Sequence, residues 1–440
     1  MAKDMSTKPQ KVNLSKNTIN IIGDNVLFNN GVITAYYVLP LTNYTTATSE
    51  RVEYSIDNLA NLVKNLSSNN PELTFTIERI EKKIKRKDVL NNLYDGIKLY
   101  AEDYEMPVEF TKNVQDDIQA YCLLGIDIQQ SNLTEVEDLS ILATIKAILK
   151  QMVNNFSGMG NMTCDPEQIL KKEKEYYSIL KDSAVRASAD LVFYNFVSKV
   201  YPCYDISYDK LSYVNENTYE DIMASITQTV SDNFGWFEMH NEGVDIFGLP
   251  QATTYGCMLD IQSFPSYINN VAFPFDYPNL VTTIQCIKKD KAQINIKRIQ
   301  AQDKYELEML DEAGGDETKA QQLVDNIGVA GSALRDIEKG EVICNFNASI
   351  LVWAKTRDDL RQKIMNIVTQ CKNRDIIVAK SLNQAVDYLD NYVNKKPKTF
   401  RHMTNIKFPL SFQQNNGATV GDVYEGPEDT WSPSIGEDVN

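Results

Sequence analysis

Histidine is almost missing from this chain, with two in 440 residues, His240 and His402. No grouping of His, Cys, Asp and Glu has the spacing of a zinc site, and C-x-x-C does not occur. His240 beside Glu238 and Glu242 can be drawn as a ligand set, but a polar hairpin accounts for the same residues. G-x-S-x-G, H-E-x-x-H and a G-x-G-x-x-G following a strand are also missing. The most telling absence is G-x-x-x-x-G-K-[ST]. Without backbone amides to cradle phosphates and a lysine to reach them, P-loop hydrolysis by this chain alone is implausible. No catalytic residue, cofactor-binding residue or metal ligand is therefore assigned, and no cofactor is expected.

Basic charge is in short supply too. Lys and Arg number 44 against 60 Asp and Glu, for a formal net charge of −16. A dedicated duplex-DNA binder needs a basic face, so sequence-specific nucleic-acid binding is not expected. No apolar run approaches the roughly 20 residues of a membrane helix. The polar, lysine-bearing residues 1–17 have no apolar core and read as a flexible arm rather than a leader. The 7 cysteines lack a pairing rhythm, and Cys122, Cys203, Cys257, Cys286 and Cys344 sit in apolar or aromatic surroundings, which suits reduced thiols in a cytoplasm.

What is present is an α+β pattern: two layered α/β units, each a sheet with helices on one face, joined by a largely helical middle. The pattern is clearest at the C-terminal end. NFNASILVWA (345–354) is a β run, and Thr356 with Asp359 has capping-box spacing. Leu360, Ile364, Ile367, Val368 and Cys371 then stripe a helix that Asn373 can end. IIVAK (376–380) is a second β run, and Ser381 with Gln384 is a second capping box. The second unit is placed at 341–412. In the first, 18–130, Asn29-Asn30-Gly31 is a hairpin turn, 50–66 a helix, and LTFTIERI (73–80) a strand. FTKNVQDDIQAY (110–121) reads as a short helix and 121–128 as a strand. Residues 131–202 are assigned as helical, with 191–202 open between strand and helix end. Residues 203–340 read as a mixed region containing a helix over 219–230 and ending in a helical hairpin broken at Gly314-Gly315. The first unit's order of hairpin, helix and strand suggests that the two units are related.

Two basic stretches stand out. KKIKRK (82–87) reads as a solvated strand-to-helix turn, the reading favoured over a phosphate or lipid-headgroup patch in so acidic a chain. Lys395, Lys396, Lys398, Arg401, His402 and Lys407 are interleaved with Phe400, Phe408 and Phe412. They are the candidate interaction residues, facing an acidic partner or nucleic acid, against the plainer reading of a solvated linker.

The order of features over 280–421 is familiar: a strand before Lys288-Lys289, a helical hairpin with Lys297-Arg298, then Ala354, Thr356, Asp359 and Leu360. Arg401 to Thr404, the F-P-L at 408–410, and Gly417 to Gly421 follow. This resembles the non-motor half of the large ATPases of type IV secretion and conjugative transfer, most like those of Gram-positive elements. The family continues into a RecA-like motor, whereas here 413–440 is an exit segment with no Walker motifs. The resemblance implies a non-catalytic assembly domain that self-associates as a homo-oligomer and docks to inner-membrane channel proteins. It further implies a motor in cis or trans and a cytoplasmic position, peripheral to the membrane through partners. The competing reading is a free-standing structural component of a phage or mobile-element particle.

Overall fold

The computed structural model describes residues 11–13, 19–29, 32–39, 49–84, 117–129, 166–200, 202, 228–233, 235–241, 253–264, 280–312, 314, 316–373, 375–381, 384–393 and 399–410. The class is α+β. The first half of the chain supplies β2 (Ile19–Ile22), β3 (Val26–Asn29), β4 (Val32–Leu39), α1 (Ser49–Asn69), β5 (Thr74–Ile84), β6 (Asp117–Asp127), α2 (Pro166–Leu180), β7 (Val185–Arg186) and α3 (Ala189–Val200). The second supplies β8 (Gln228–Asn233), β9 (Trp236–Asn241), β10 (Thr253–Ser263), β11 (Leu280–Cys286), α4 (Lys289–Glu312), α5 (Glu317–Glu338) and β12 (Ile343–Ala354). It continues with α6 (Arg357–Lys372), β13 (Ile377–Lys380) and α7 (Gln384–Asp387), which runs into a π turn at Tyr388–Val393. Two short strands, β1 (Lys11–Asn13) and β14 (His402–Asn405), complete the set.

All 14 strands form one sheet, in the order β1, β8, β9, β10, β12, β11, β5, β6, β4, β3, β2, with β7, β13 and β14 beside β4, β10 and β12. Every neighbouring pair is antiparallel.

The sheet is built twice from one plan. In each half a three-strand meander (β2–β3–β4, then β8–β9–β10) is followed by a strand that skips one place (β5, β11). The next strand fills the gap (β6, β12). The stagger of partners along the meander's last strand agrees. Val32–Ala35 pair with β3 and Thr34–Leu39 with β6, while Thr253–Gly256 pair with β9 and Tyr255–Asp260 with β12. In both halves the following helix (α2, α6) leads into a short strand alongside the far end of the meander's last strand. Both first hairpins turn through a glycine at positive φ, Gly23 at 60° and Gly235 at 81°. The halves join through the equivalent strands β5 and β11, which pair antiparallel with Glu78 opposite Val281 and Thr76 opposite Thr283. That pairing of like with like is what a pseudo-twofold axis at the junction requires.

The second unit is therefore larger than residues 341–412: it begins at β8, because β8 to β11 are its meander and its junction strand. The two units share one sheet, and the described part of 131–202 is mostly helix, α2 and α3, packed on that sheet. Helices also cover both faces rather than one. Leu59, Val63 and Leu66 of α1, Ile169 and Tyr176 of α2, and Leu360, Ile364 and Ile367 of α6 pack on one face. Leu191, Phe193 and Phe196 of α3, with Tyr388, Tyr392 and Val393, pack on the other. An antiparallel sheet this wide, apolar on both sides, needs cover on both.

Local signals explain most elements. Thr356 Oγ1 accepts from the Asp359 amide at 3.2 Å to start α6, and Asn373 closes it. Ser381 and Gln384 behave differently from a capping box. Gln384 accepts from the Met258 amide at 2.6 Å and donates to the Met258 carbonyl at 3.1 Å, tying α7 to β10, while the Ser381 hydroxyl bonds Asp387. Asp117–Ala120 lie in β6 and not in a helix, since ten residues of β6 pair along β5. Gln228–Val230 likewise lie in β8, drawn from a helical pattern by pairing with β9. Residues 191–200 resolve to helix α3. Lys82–Ile84 extend β5, so the start of the 82–87 cluster is strand; residues 85–87 lie outside the described residues.

Candidate interaction surface

Arg401, His402 and Lys407 lie in a strap that runs alongside β12 beyond its last pair with β10, Ser349 opposite Asp260. Lys395, Lys396 and Lys398 lie outside the described residues. The strap is held from both sides. Asn347 donates to the Thr399 carbonyl at 2.7 Å and accepts from the Arg401 amide at 2.8 Å. β14 then pairs with β12, placing Met403 opposite Asn345 and His402 opposite Phe346.

Each of the three described candidates has internal partners. Arg401 ion-pairs with Asp260 at 2.7 Å and bonds Gln262 at 3.3 Å, and Ser349 donates to the same Asp260 carboxylate at 2.8 Å. Burial nevertheless holds the Asp260 carboxyl above its usual range, with Ser349 and Arg401 opposing the rise. His402 sits against Phe264 and Phe346, with ring centroids 5.2 and 4.9 Å away. Its Nε2 lies 2.9 Å from the Ile261 carbonyl, which can only accept, so Nε2 carries a proton there. Lys407 pairs with Asp57 at 2.8 Å and lies 3.9 Å from Glu341. These carboxylates, with the Asp57 hydrogen bond foremost, push its ammonium pKa up. Phe408 packs edge-on to Phe264 at 5.1 Å. The alternation of basic and aromatic residues thus has an internal meaning in 399–410: aromatic rings face the core and cations reach carboxylates at its rim.

A second polar surface was not legible in advance. Arg357, the first residue of α6, bonds Glu238 at 2.6 Å and lies over the rings of Trp236 and Tyr255, at 4.6 and 5.5 Å. The Glu238 hydrogen bond leads in raising its guanidinium pKa. His240 Nε2 is 3.4 Å from Glu238, and its Nδ1 is 2.9 Å from Thr253 Oγ1. Alternation along β9 brings Trp236, Glu238 and His240 to one face, but nothing in the sequence shows that Arg357 arrives from far along the chain. Glu242 lies outside the described residues. Among those described, no group of three or more His, Cys, Asp or Glu could hold a metal ion.

A third cluster is buried. Glu173 of α2 receives hydrogen bonds from Asn25 at 3.2 Å and Tyr37 at 3.2 Å, and a two-pronged one from Arg186 at 2.8 and 3.0 Å. Arg186 lies 3.8 Å from the centroid of Tyr177. Burial, with Glu173 nearby, keeps the Tyr37 hydroxyl protonated far above its ordinary pKa. All four groups serve one another, and the cluster locks α2 and β7 to the meander.

Cys122, Cys257, Cys286 and Cys371 share one state. Burial pushes each thiol from an ordinary value near 9 up to about 12. Cys286 and Cys344 stand opposite each other on β11 and β12, both buried and both free. A thiol raised in the folded state contributes stability below its unfolded pKa and loses it as pH climbs toward the folded value. Denaturant midpoints are expected to hold steady through neutrality and fall above about pH 9. Cys286→Ala should flatten that decline; an unchanged alkaline slope in this variant would contradict the assignment.

No helix among the described residues is long and apolar enough to cross a membrane. A scan of protein-family models finds no match to this chain, and a search of curated proteins finds no relative.

Proposed function

We propose that this chain is an assembly module of a conjugative-transfer or type IV secretion machine, binding partners rather than turning over a substrate. The reading starts from the ordered features of 280–421. Their described part holds, in order, β11, the α4–α5 hairpin, β12, α6, β13, α7 with its π turn, and β14. The observation that carries the reading is the α4–α5 hairpin. It is inserted between adjacent strands and keeps a small core near its base, Ala292, Ile296, Ala330 and Ile337, with Leu323 buried farther out. Ile294, Tyr305, Met309 and Val329 are left exposed along its length. Apolar side chains in such numbers on a pair of long helices suit docking better than solvent.

The test is co-expression of the full chain with the membrane channel proteins and coupling ATPase of its own locus. Co-purification with the channel proteins is expected, with ATP hydrolysis by the purified chain no greater than in a mock preparation. Hydrolysis that tracks the chain's concentration, or capture of capsid or tail proteins in place of channel proteins, would overturn the proposal.

A further inference from the structure

We infer that the outer face of α4 binds the same face of a second copy of this chain, with the two helices antiparallel. The inference deepens the assembly reading by naming a self-association surface, and rests on that reading only for its biological use.

The faces of α4 are distinct. Ala292 and Ile296 are buried toward α5, and Gln300 donates to the Ile327 carbonyl at 3.3 Å on that side. Ile294, Ala301, Tyr305 and Met309, at steps of seven, four and four, share the opposite face. Ile294 is 66% exposed, Tyr305 62% and Met309 50%. Ala301 lies near the middle of the stripe, where its small side chain lets a second backbone come close.

Charge identifies the occupant. Exposed Lys291, Lys297 and Arg298 flank the first half of the stripe; Lys291 also lies 3.5 Å from Glu72. Glu306, Glu308 and Glu312 flank the second half, Glu306 taking a hydrogen bond from Gln302 at 3.3 Å; one exposed cation, Lys304, precedes Glu308 by a turn, so acidic residues still outnumber basic ones there. A parallel pairing of two α4 helices would set like charges side by side. Antiparallel pairing about Ala301 and Gln302 reverses this: Ile294 meets Met309, Lys291 meets Glu312, and Arg298 reaches Tyr305 and Glu306 of the other copy. Lys297 and Glu308 come together on the other flank. Asp290 falls beyond the overlap. The face is complementary to itself in both its apolar and its charged parts, the property a twofold interface requires. It is also narrow, so the dimer is concentration-dependent and weakened by salt.

Sedimentation velocity on the full chain tests this, separately from any partner capture. The unsubstituted chain is expected to pass from monomer to dimer across the micromolar range. Ile294→Asp with Tyr305→Asp should remain monomeric throughout with an unchanged melting curve, since both side chains are exposed. Lys297→Glu with Arg298→Glu should weaken the dimer by at least about tenfold. Adding Glu306→Lys and Glu308→Lys should restore it. A monomeric unsubstituted chain, a dimer that survives Ile294→Asp with Tyr305→Asp, or a fourfold charge reversal that stays dissociated would each overturn the inference. Partner capture in the co-expression experiment could succeed in any of these cases, so the two readings fail separately.

Discussion

Lys199→Ala is expected to destabilise the protein by about 4 kcal/mol, the range found when one partner of a buried ion pair is removed. Lys199 on α3 pairs with Glu78 on β5, and their side chains are 4% and 2% exposed. The ammonium also lies 4.9 Å from the centroid of Tyr392, and Tyr388 donates to the Lys199 carbonyl at 2.8 Å. Removing the ammonium leaves the Glu78 carboxylate in a low-dielectric layer without its ion partner. The compensating experiment is Lys199→Met with Glu78→Leu. Two apolar residues of similar volume should recover most of the loss, because the cost lies in the stranded charge. Chemical denaturation followed by far-UV circular dichroism reads both. A Lys199→Ala loss below about 1 kcal/mol, the scale of an exposed pair, would show that water reaches Glu78.

The second large effect is expected at Gly256. Its Cα faces a cluster in which Phe237, Trp353 and Tyr388 pack with ring centroids 4.8 to 5.2 Å apart. A Cβ built there would come within 2.5 Å of Trp353 Cζ3 and closer still to Phe237. Neither ring can step aside, since Phe237 is fully buried and Trp353 is 6% exposed. Gly256→Ala should therefore cost about 3 kcal/mol, at the upper end of overpacking penalties. It should also reduce the near-UV circular dichroism of the aromatic cluster. A variant with the parent's midpoint and aromatic signal would mean that the cluster is loosely packed.

Legibility in the sequence followed how local the determinants of each element are. The α6 helix could be read residue by residue because its determinants are local: one cap, one stripe and one terminating asparagine. The β3–β4 hairpin and the break between α4 and α5 were equally readable. The duplication was only hinted at, since equivalent strands share a pairing pattern and few side chains. VITAYYVL of β4 and TTYGCMLDIQS of β10 take the same place in the strand order yet share no dipeptide. Asp117–Ala120 and Gln228–Val230 went the other way, with helical patterns that gave way to long-range pairing with β5 and β9. Of the candidate basic residues, Arg401, His402 and Lys407 are among those described. Their partners, Asp260, Gln262, Asp57 and Glu341, are remote in sequence and could not be inferred from spacing.

The union of the halves along β5 and β11 bears on how the chain emerges during synthesis. Once the first half has been translated, β5 is a bare outer strand, and β11 begins only 80 residues after the end of α3. An unpaired strand rich in Thr, Phe and Ile would invite another nascent chain to pair with it. At the centre of that margin stand Glu78 and Arg79, charged residues that are buried in the finished protein. An intruding strand would have to desolvate both, whereas β11 arrives with α3 already supplying Lys199 to Glu78. The charges that make the mature core costly to disturb thus also guard the growing sheet against the wrong neighbour.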